Sequence, residues 1–133
     1  MIDALKIALK AADDKKAYDF LALDISGIAS FANYFLFCTG NSSTQIRAIA
    51  DEIEKQLKIA GIRSSHVEGY RNSEWILMDY FDLVIHIFSK EARAFYDLER
   101  LWRDGKKLNT DKLLREMNKK NVENRKLKVE RRP

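Results

Sequence analysis

The 133-residue chain contains a single cysteine, Cys38. No internal disulfide can form, so stability has to come from a packed core, and an intracellular compartment is the simpler expectation. Histidine is nearly as scarce. His66 and His86 are the only two, and together with Cys38 they give no compact zinc-ligand spacing, so no metal site is expected. No run approaches the roughly 18 uninterrupted apolar residues of a membrane span. Asp3, Lys6 and Lys10 stand among the apolar N-terminal residues rather than ahead of them, which is not the layout of a secretory signal. The expected location is cytoplasmic, with no membrane partner. Both a G-x-x-x-x-G-K-[ST] phosphate loop and a G-x-G-x-x-G fingerprint are missing, which removes the two commonest sequence signatures of a nucleotide cofactor.

A chain of this length suits one domain that buries roughly two-thirds of its unfolded surface. Its net charge of +4 is unevenly spread: residues 106–133 hold eleven Lys or Arg against four Asp or Glu, a net +7, leaving residues 1–105 at −3. The organisation is therefore a body, residues 1–105, and a basic C-terminal tail, residues 106–133, partly helical or disordered. Such a tail suits contact with a polyanion through counterion release, and it equally suits a solvated extension.

Along the body, Ile2, Leu5, Leu9 and Ala12 recur at helical spacing up to the polar Asp13-Asp14-Lys15-Lys16. Residues 18–26 alternate as a strand with Leu21, Leu23 and Ile25 on one side, and residues 34–39, apolar on both faces, suit the middle of a sheet. Gly40-Asn41-Ser42-Ser43 offers a turn and an N-cap for a helix carrying Ile46, Ile49, Ala50, Ile53 and Leu57 and stopping at Gly61. With residues 62–67 as a strand this makes a right-handed strand-helix-strand unit, whose two strands run parallel. Residues 69–74 form a polar connection. In the tail, Thr110 is placed to cap a helix containing Leu113, Leu114 and Met117.

Residues 75–102 carry the densest pattern. Trp75, Leu77 and Asp79 alternate with Ile76, Met78 and Tyr80, and Leu83, Ile85 and Ile87 alternate with Val84, His86 and Phe88. This is strand periodicity on both sides of Phe81-Asp82, hence an antiparallel hairpin. Ser89 then caps a helix on which Phe95, Leu98, Leu101 and Trp102 form an apolar stripe, with Gly105 as its stop. Trp75, Tyr80, Phe95, Tyr96 and Trp102 are aromatics that could serve protein recognition; of these, Phe95 and Trp102 are expected to be buried, while Trp75 and Tyr80 suit either the core or a recognition surface.

No catalytic constellation stands out. Exposed amides at the Gly40-Asn41-Ser42 turn could hold a phosphate, but an ordinary capped turn looks the same. Asp79 and Asp82 could bind magnesium in a nucleotide-using enzyme, yet they lack the Asp-x-Asp spacing that puts two carboxylates on one face of a strand. A Cys38–His86 pair would need adjacent strands and an activated thiolate; packing suits Cys38 better, and a hydrogen-bonded structural role suits His86. No catalytic residue and no cofactor is expected.

Several blocks, in order, carry a resemblance: Asn33-Tyr34-Phe35, Gly40-Asn41-Ser42-Ser43, Glu68-Gly69, Trp75 to Asp79, Asp79-Tyr80-Phe81-Asp82, Val84-Ile85-His86-Ile87-Phe88 and Arg93 to Trp102. Together they resemble the ribosomal silencing factor (Iojap-like) family over residues 1–105. The resemblance implies a single α/β domain: a mixed, mostly five-stranded sheet with flanking helices, similar to nucleotidyltransferases without their catalytic motifs. It implies a non-enzymatic factor that binds the large ribosomal subunit through its protein number fourteen and sterically blocks joining of the small subunit, repressing translation. The family's motif places Glu68, Trp75, Leu77, Asp79, Tyr80 and Asp82 as partner-facing positions. Phe81 departs from the glycine often found in the family's Asp-Tyr-Gly-Asp block. An auxiliary contact of the tail with ribosomal RNA, and a homodimer, are both compatible with the sequence. Truncation after Lys107 is expected to leave a folded domain.

Overall fold

The order of elements follows from where the apolar periods change. The computed structural model describes residues 2–119. Helix α1 (Ile2–Asp14) leads into β1 (Tyr18–Asp24) and β2 (Tyr34–Gly40), then α2 (Ser43–Ile59), β3 (His66–Glu68), and the hairpin strands β4 (Trp75–Asp79) and β5 (Leu83–Ser89). Two short helices, α3 (Lys90–Tyr96) and α4 (Leu98–Leu101), precede a last strand, β6 (Lys106–Leu108). A further helix, α5, covers residues 110–119.

The sheet has six strands in the order β3-β4-β5-β2-β1-β6. This corrects the expected five: β6 lies antiparallel to β1, with Ala22 opposite Leu108 and Asp24 opposite Lys106. β2 and β5, apolar on both faces, pair in parallel at the centre. β4 is antiparallel to β5 and β3 to β4, so β3 runs parallel to β2 as the strand-helix-strand rule requires, but with two strands between them. The helical crossover lands at the sheet edge, and the hairpin fills the gap.

One face of the sheet is covered completely. Leu5, Ala8, Leu9 and Ala12 of α1 and Ile46, Ile49, Ile53 and Leu57 of α2 are each 1 % exposed or less. They pack on Leu36, Cys38, Ile76, Met78, Tyr80, Leu83, Ile85 and Ile87. Ser42 caps α2 by accepting from the Gln45 amide at 3.1 Å, and Gln45 Oε1 accepts from the Asn41 amide at 2.6 Å, a reciprocal cap that satisfies two end donors. The opposite face is covered only in part. Leu23, Ile25, Phe35, Phe37, Val84 and Phe88 gather beneath α3, α4 and Trp102, while the β3–β4 side carries no helix.

The expected single helix after Ser89 is two. Ser89 Oγ does accept from the Ala92 amide at 3.1 Å, but Asp97 takes a left-handed conformation (φ 45) and breaks the chain between α3 and α4. Aspartate tolerates that region better than most residues. The break turns Phe95 outward, 82 % exposed, and Leu101 is 75 % exposed, so the expected burial of Phe95 is overturned. Trp102 does pack inward, edge-on to Phe35 at 4.9 Å and to Phe31 at 5.6 Å. Arg93 fixes α3 in place. Its Nη1 donates to the Asp19 carbonyl and to Thr39 Oγ1, and its Nε pairs with Glu99.

Nor does the fold close at Gly105. Leu108, Leu113 and Leu114 pack against the α1–α2 core, and Lys6 pairs with Glu116 at 2.7 Å. The cap of α5 is Asn109, whose Oδ1 accepts from the Lys112 amide at 3.0 Å, rather than Thr110. Residues 120–133, half of the proposed basic tail, lie outside the described residues. Cutting the chain after Gly105 therefore removes three half-buried leucines, worth roughly 2–4 kcal/mol at about 25 cal/mol per Å². Chemical unfolding should show a cooperative transition shifted by that amount. An unchanged midpoint would mean that residues 106–119 add nothing to the fold.

Candidate functional site

The uncovered β3–β4 side is built by strand alternation. Trp75, Leu77 and Asp79 point to the face opposite α1 and α2, because Ile76 and Met78 between them are fully buried under those helices. Register places Glu68 opposite Leu77 and His66 opposite Asp79 on one side, and Phe88, His86 and Val84 opposite Trp75, Leu77 and Asp79 on the other. Four of the six sequence-derived partner positions, Glu68, Trp75, Leu77 and Asp79, thus share one sheet face.

The remaining two do not join them. Tyr80 is 2 % exposed and packs with the α1–α2 core; burial, together with the nearby Glu54 carboxylate, pushes its hydroxyl up to about 12. Its placement as a partner-facing residue is corrected: in this fold it is a core aromatic. Asp82 sits in the turn, and its carbonyl accepts from the amides of Asn33 and Tyr34, both at 2.8 Å. Asp79 also has local work, since its Oδ1 accepts from the Phe81 amide at 2.8 Å. Phe81 occupies the left-handed region (φ 68) with its ring 68 % exposed. Glycine suits that conformation without steric cost, whereas a bulky residue there is strained.

Beneath the face lies an aromatic cluster that positions Trp75. Its indole Nε1 donates to Nδ1 of His86 at 3.1 Å, its ring stacks on Phe88 at 5.2 Å, and Tyr96 leans on it at 4.8 Å. His86 is 3 % exposed and lies parallel to Phe37 at 5.0 Å. With Nδ1 accepting, the neutral ring carries its proton on Nε2. Desolvation lowers the pKa of His86 from 6.5 to about 4. Protonating Nδ1 would set two donors against each other and release Trp75.

A shallow hollow of about 280 Å³ opens beside this cluster, lined by Glu68, Gly69, Asn72, Glu74, Trp75, Leu77 and Tyr96. Gly69 is required there: it has φ +83, and a Cβ would fall 2.0 Å from the Trp75 carbonyl oxygen. Tyr96, one of the aromatic recognition candidates of the sequence, lines this hollow, and so does Glu74, which the sequence did not single out. The helix ends at Asp97, and Tyr96 is left 51 % exposed beside β4.

The other chemical leads come apart. Cys38 stands opposite Ile87 and packs under the helices, while His86 stands opposite Phe37 on the other face, so the two cannot pair. Burial pushes the Cys38 thiol up to about 12. At the Gly40 turn, the amides of Asn41 and Gln45 are already used in the α2 cap, and a Cβ on Gly40 would meet Ile46 Cγ1 at 2.8 Å. That glycine serves helix packing. Among the described residues, no three His, Cys, Asp or Glu side chains converge on a common point, and no helix is long and apolar enough to cross a membrane.

The family model described as "Ribosomal silencing factor during starvation" matches residues 1–132. The chain is 50% identical over 101 residues to the ribosomal silencing factor RsfS of Bacillus subtilis (strain 168), covering 76% of this chain and 86% of that protein. A crystal structure of a protein from Chromobacterium violaceum superposes with TM-score 0.75 at 34% identity, covering 81% of this chain and 89% of that one. A crystal structure of a protein from Bacillus halodurans gives 0.74 at 40% identity, covering 82% and 99%.

Two measurements check the geometry. His86 has a folded pKa below its unfolded value, so its contribution to stability is complete above pH 6.5 and is lost as pH falls from there to about 4, at up to roughly 1.4 kcal/mol per pH unit. In His86→Asn, whose Oδ1 does not titrate, urea unfolding between pH 7 and 4.5 should lose this component of the acid sensitivity; an identical slope would contradict the assignment. Phe81→Gly should raise stability by roughly 1 kcal/mol through relief of the left-handed strain, read from the thermal midpoint, and a fall would show that the ring is held by packing.

Proposed function

The chain belongs to the ribosomal silencing factor family, and on that premise we propose that it binds the large ribosomal subunit through ribosomal protein number fourteen and so blocks joining of the small subunit. The observation that carries the binding mode is the uncovered β3–β4 face. Trp75 and Leu77 stand half-buried on a sheet whose other face is sealed by two helices, with Glu68 and Asp79 beside them. Large aromatic and aliphatic side chains held rigid by their neighbours are effective anchors, because little conformational freedom remains to be lost on docking. Flanking carboxylates suit a basic partner and would speed its approach.

The proposed mechanism is occlusion, with no chemical step. A body of about 105 residues has a radius of gyration near 13 Å, hence a breadth above about 30 Å, enough to obstruct two subunits that meet by direct contact. It would act in the cytoplasm and need no ATP. Any contact of residues 106–133 with ribosomal RNA would add salt-sensitive affinity without setting the register.

Leu77→Lys separates docking from folding, since Leu77 lies on the open face and makes no turn hydrogen bond. We expect the variant to unfold within about 1 kcal/mol of the parent, yet to bind purified large subunits at least tenfold more weakly and to leave subunit joining unimpeded in gradient sedimentation. Tyr80→Ala should do the reverse, costing about 3–5 kcal/mol of stability as a core truncation. Unchanged large-subunit binding by folded Leu77→Lys would remove the β3–β4 face from the interface.

A further inference from the structure

The hollow beside Trp75 has a chemistry that the anchor residues alone do not explain. Its lining contains two carboxylates, Glu68 and Glu74, two aromatic rings, Trp75 and Tyr96, and no lysine or arginine. The rings lie 4.8 Å apart at 47°. Tyr96 is half-exposed, so its π-system is open to a ligand. Glu68 Oε1 lies 2.7 Å from His66 Nε2; among the described residues no hydrogen bond engages its other oxygen or the Glu74 carboxylate. The floor is fixed by the Trp75–His86 hydrogen bond and by the close approach of Gly69 to the Trp75 backbone. Aromatic faces with adjacent carboxylates recognise a cation twice, through the ring quadrupole and through charge-assisted hydrogen bonds.

We propose that this hollow receives one cationic side chain of the ribosomal partner, arginine in preference to lysine. The planar guanidinium can lie against a ring while its fork of donors reaches a carboxylate, which a compact ammonium cannot do equally well. The inference rests on the docking of the β3–β4 face and adds a direction to it. Trp75 and Leu77 meet the partner's surface, and the partner in turn inserts a side chain into this chain.

The small probe is N-acetyl-arginine amide, with the isosteric, uncharged N-acetyl-citrulline amide as control, titrated to millimolar concentrations against isotope-labelled protein. Resonances of the Trp75 indole and the Tyr96 ring should shift with the arginine probe and not with citrulline. Glu68→Gln with Glu74→Gln should abolish the shift, and Tyr96→Leu should weaken it. The same double variant should bind large subunits about tenfold more weakly. Equal shifts from the citrulline compound, or none from arginine, would overturn the cation site. Undiminished large-subunit binding by the double variant would overturn its use in docking. A parent chain that takes the arginine probe but leaves large subunits unbound would overturn the ribosomal occupant and the proposed function together, with the hollow's cation chemistry upheld.

Discussion

The parallel pairing of β2 with β5 is the constraint on which the rest of the molecule depends. Phe35 to Thr39 and Leu83 to Phe88 are buried on both faces, so this sheet cannot leave either side to water at its centre. Helices α1 and α2 cover one side fully. On the other, among the described residues, the chain supplies only the short α3, α4 and the loop bearing Phe31, and of these only Tyr96, at the end of α3, reaches β4, against Trp75. An open sheet face beside a closed core is the outcome. Trp75 is held in place there by its neighbours on the same sheet face, the row of Phe37, His86 and Phe88.

That arrangement would make the proposed docking surface a rigid one. Trp75 is constrained on three sides: by the His86 hydrogen bond, by Phe88 beneath it and by Tyr96 beside it. His86 in turn must stay neutral, since its buried ring has no carboxylate partner among the described residues and an ionised imidazole there is costly. In the proposed docking mode the buried histidine therefore supports Trp75 from within the sheet face without touching the partner. Family membership gives this surface its biological context, and the pairing of aromatic and acidic groups gives it a direction of charge.

Much of this was legible in the sequence where one physical signal dominated. The alternation from Trp75 to Phe88 set the hairpin, the spacing of Ile46, Ile49, Ile53 and Leu57 set α2, and Ser42 and Ser89 marked the caps of α2 and α3. Errors arose where a competing local effect won. Phe95, Leu98, Leu101 and Trp102 fit one helical stripe, but a left-handed Asp97 splits that helix, and no propensity rule forces the break. Three-residue strands such as β6 are too short to show a period, so the sheet ran one strand further than its pattern. Tyr80 shares aromatic character with Trp75, and strand alternation places it on the other face; proximity in the family motif had grouped residues that the pleat separates. Tyr96 and Glu74 join the site only through tertiary approach, which sequence spacing does not encode.

In the proposed function it is the uncovered β3–β4 face that meets the ribosome. Hydrogen–deuterium exchange on the full chain, with and without purified ribosomal protein number fourteen, tests it at the level of segments. We predict added protection over residues 66–79 and around Tyr96, with α1 and α2 unchanged. Protection confined to α1, α2 or residues 106–119, with residues 66–79 exchanging as in the free chain, would contradict the account.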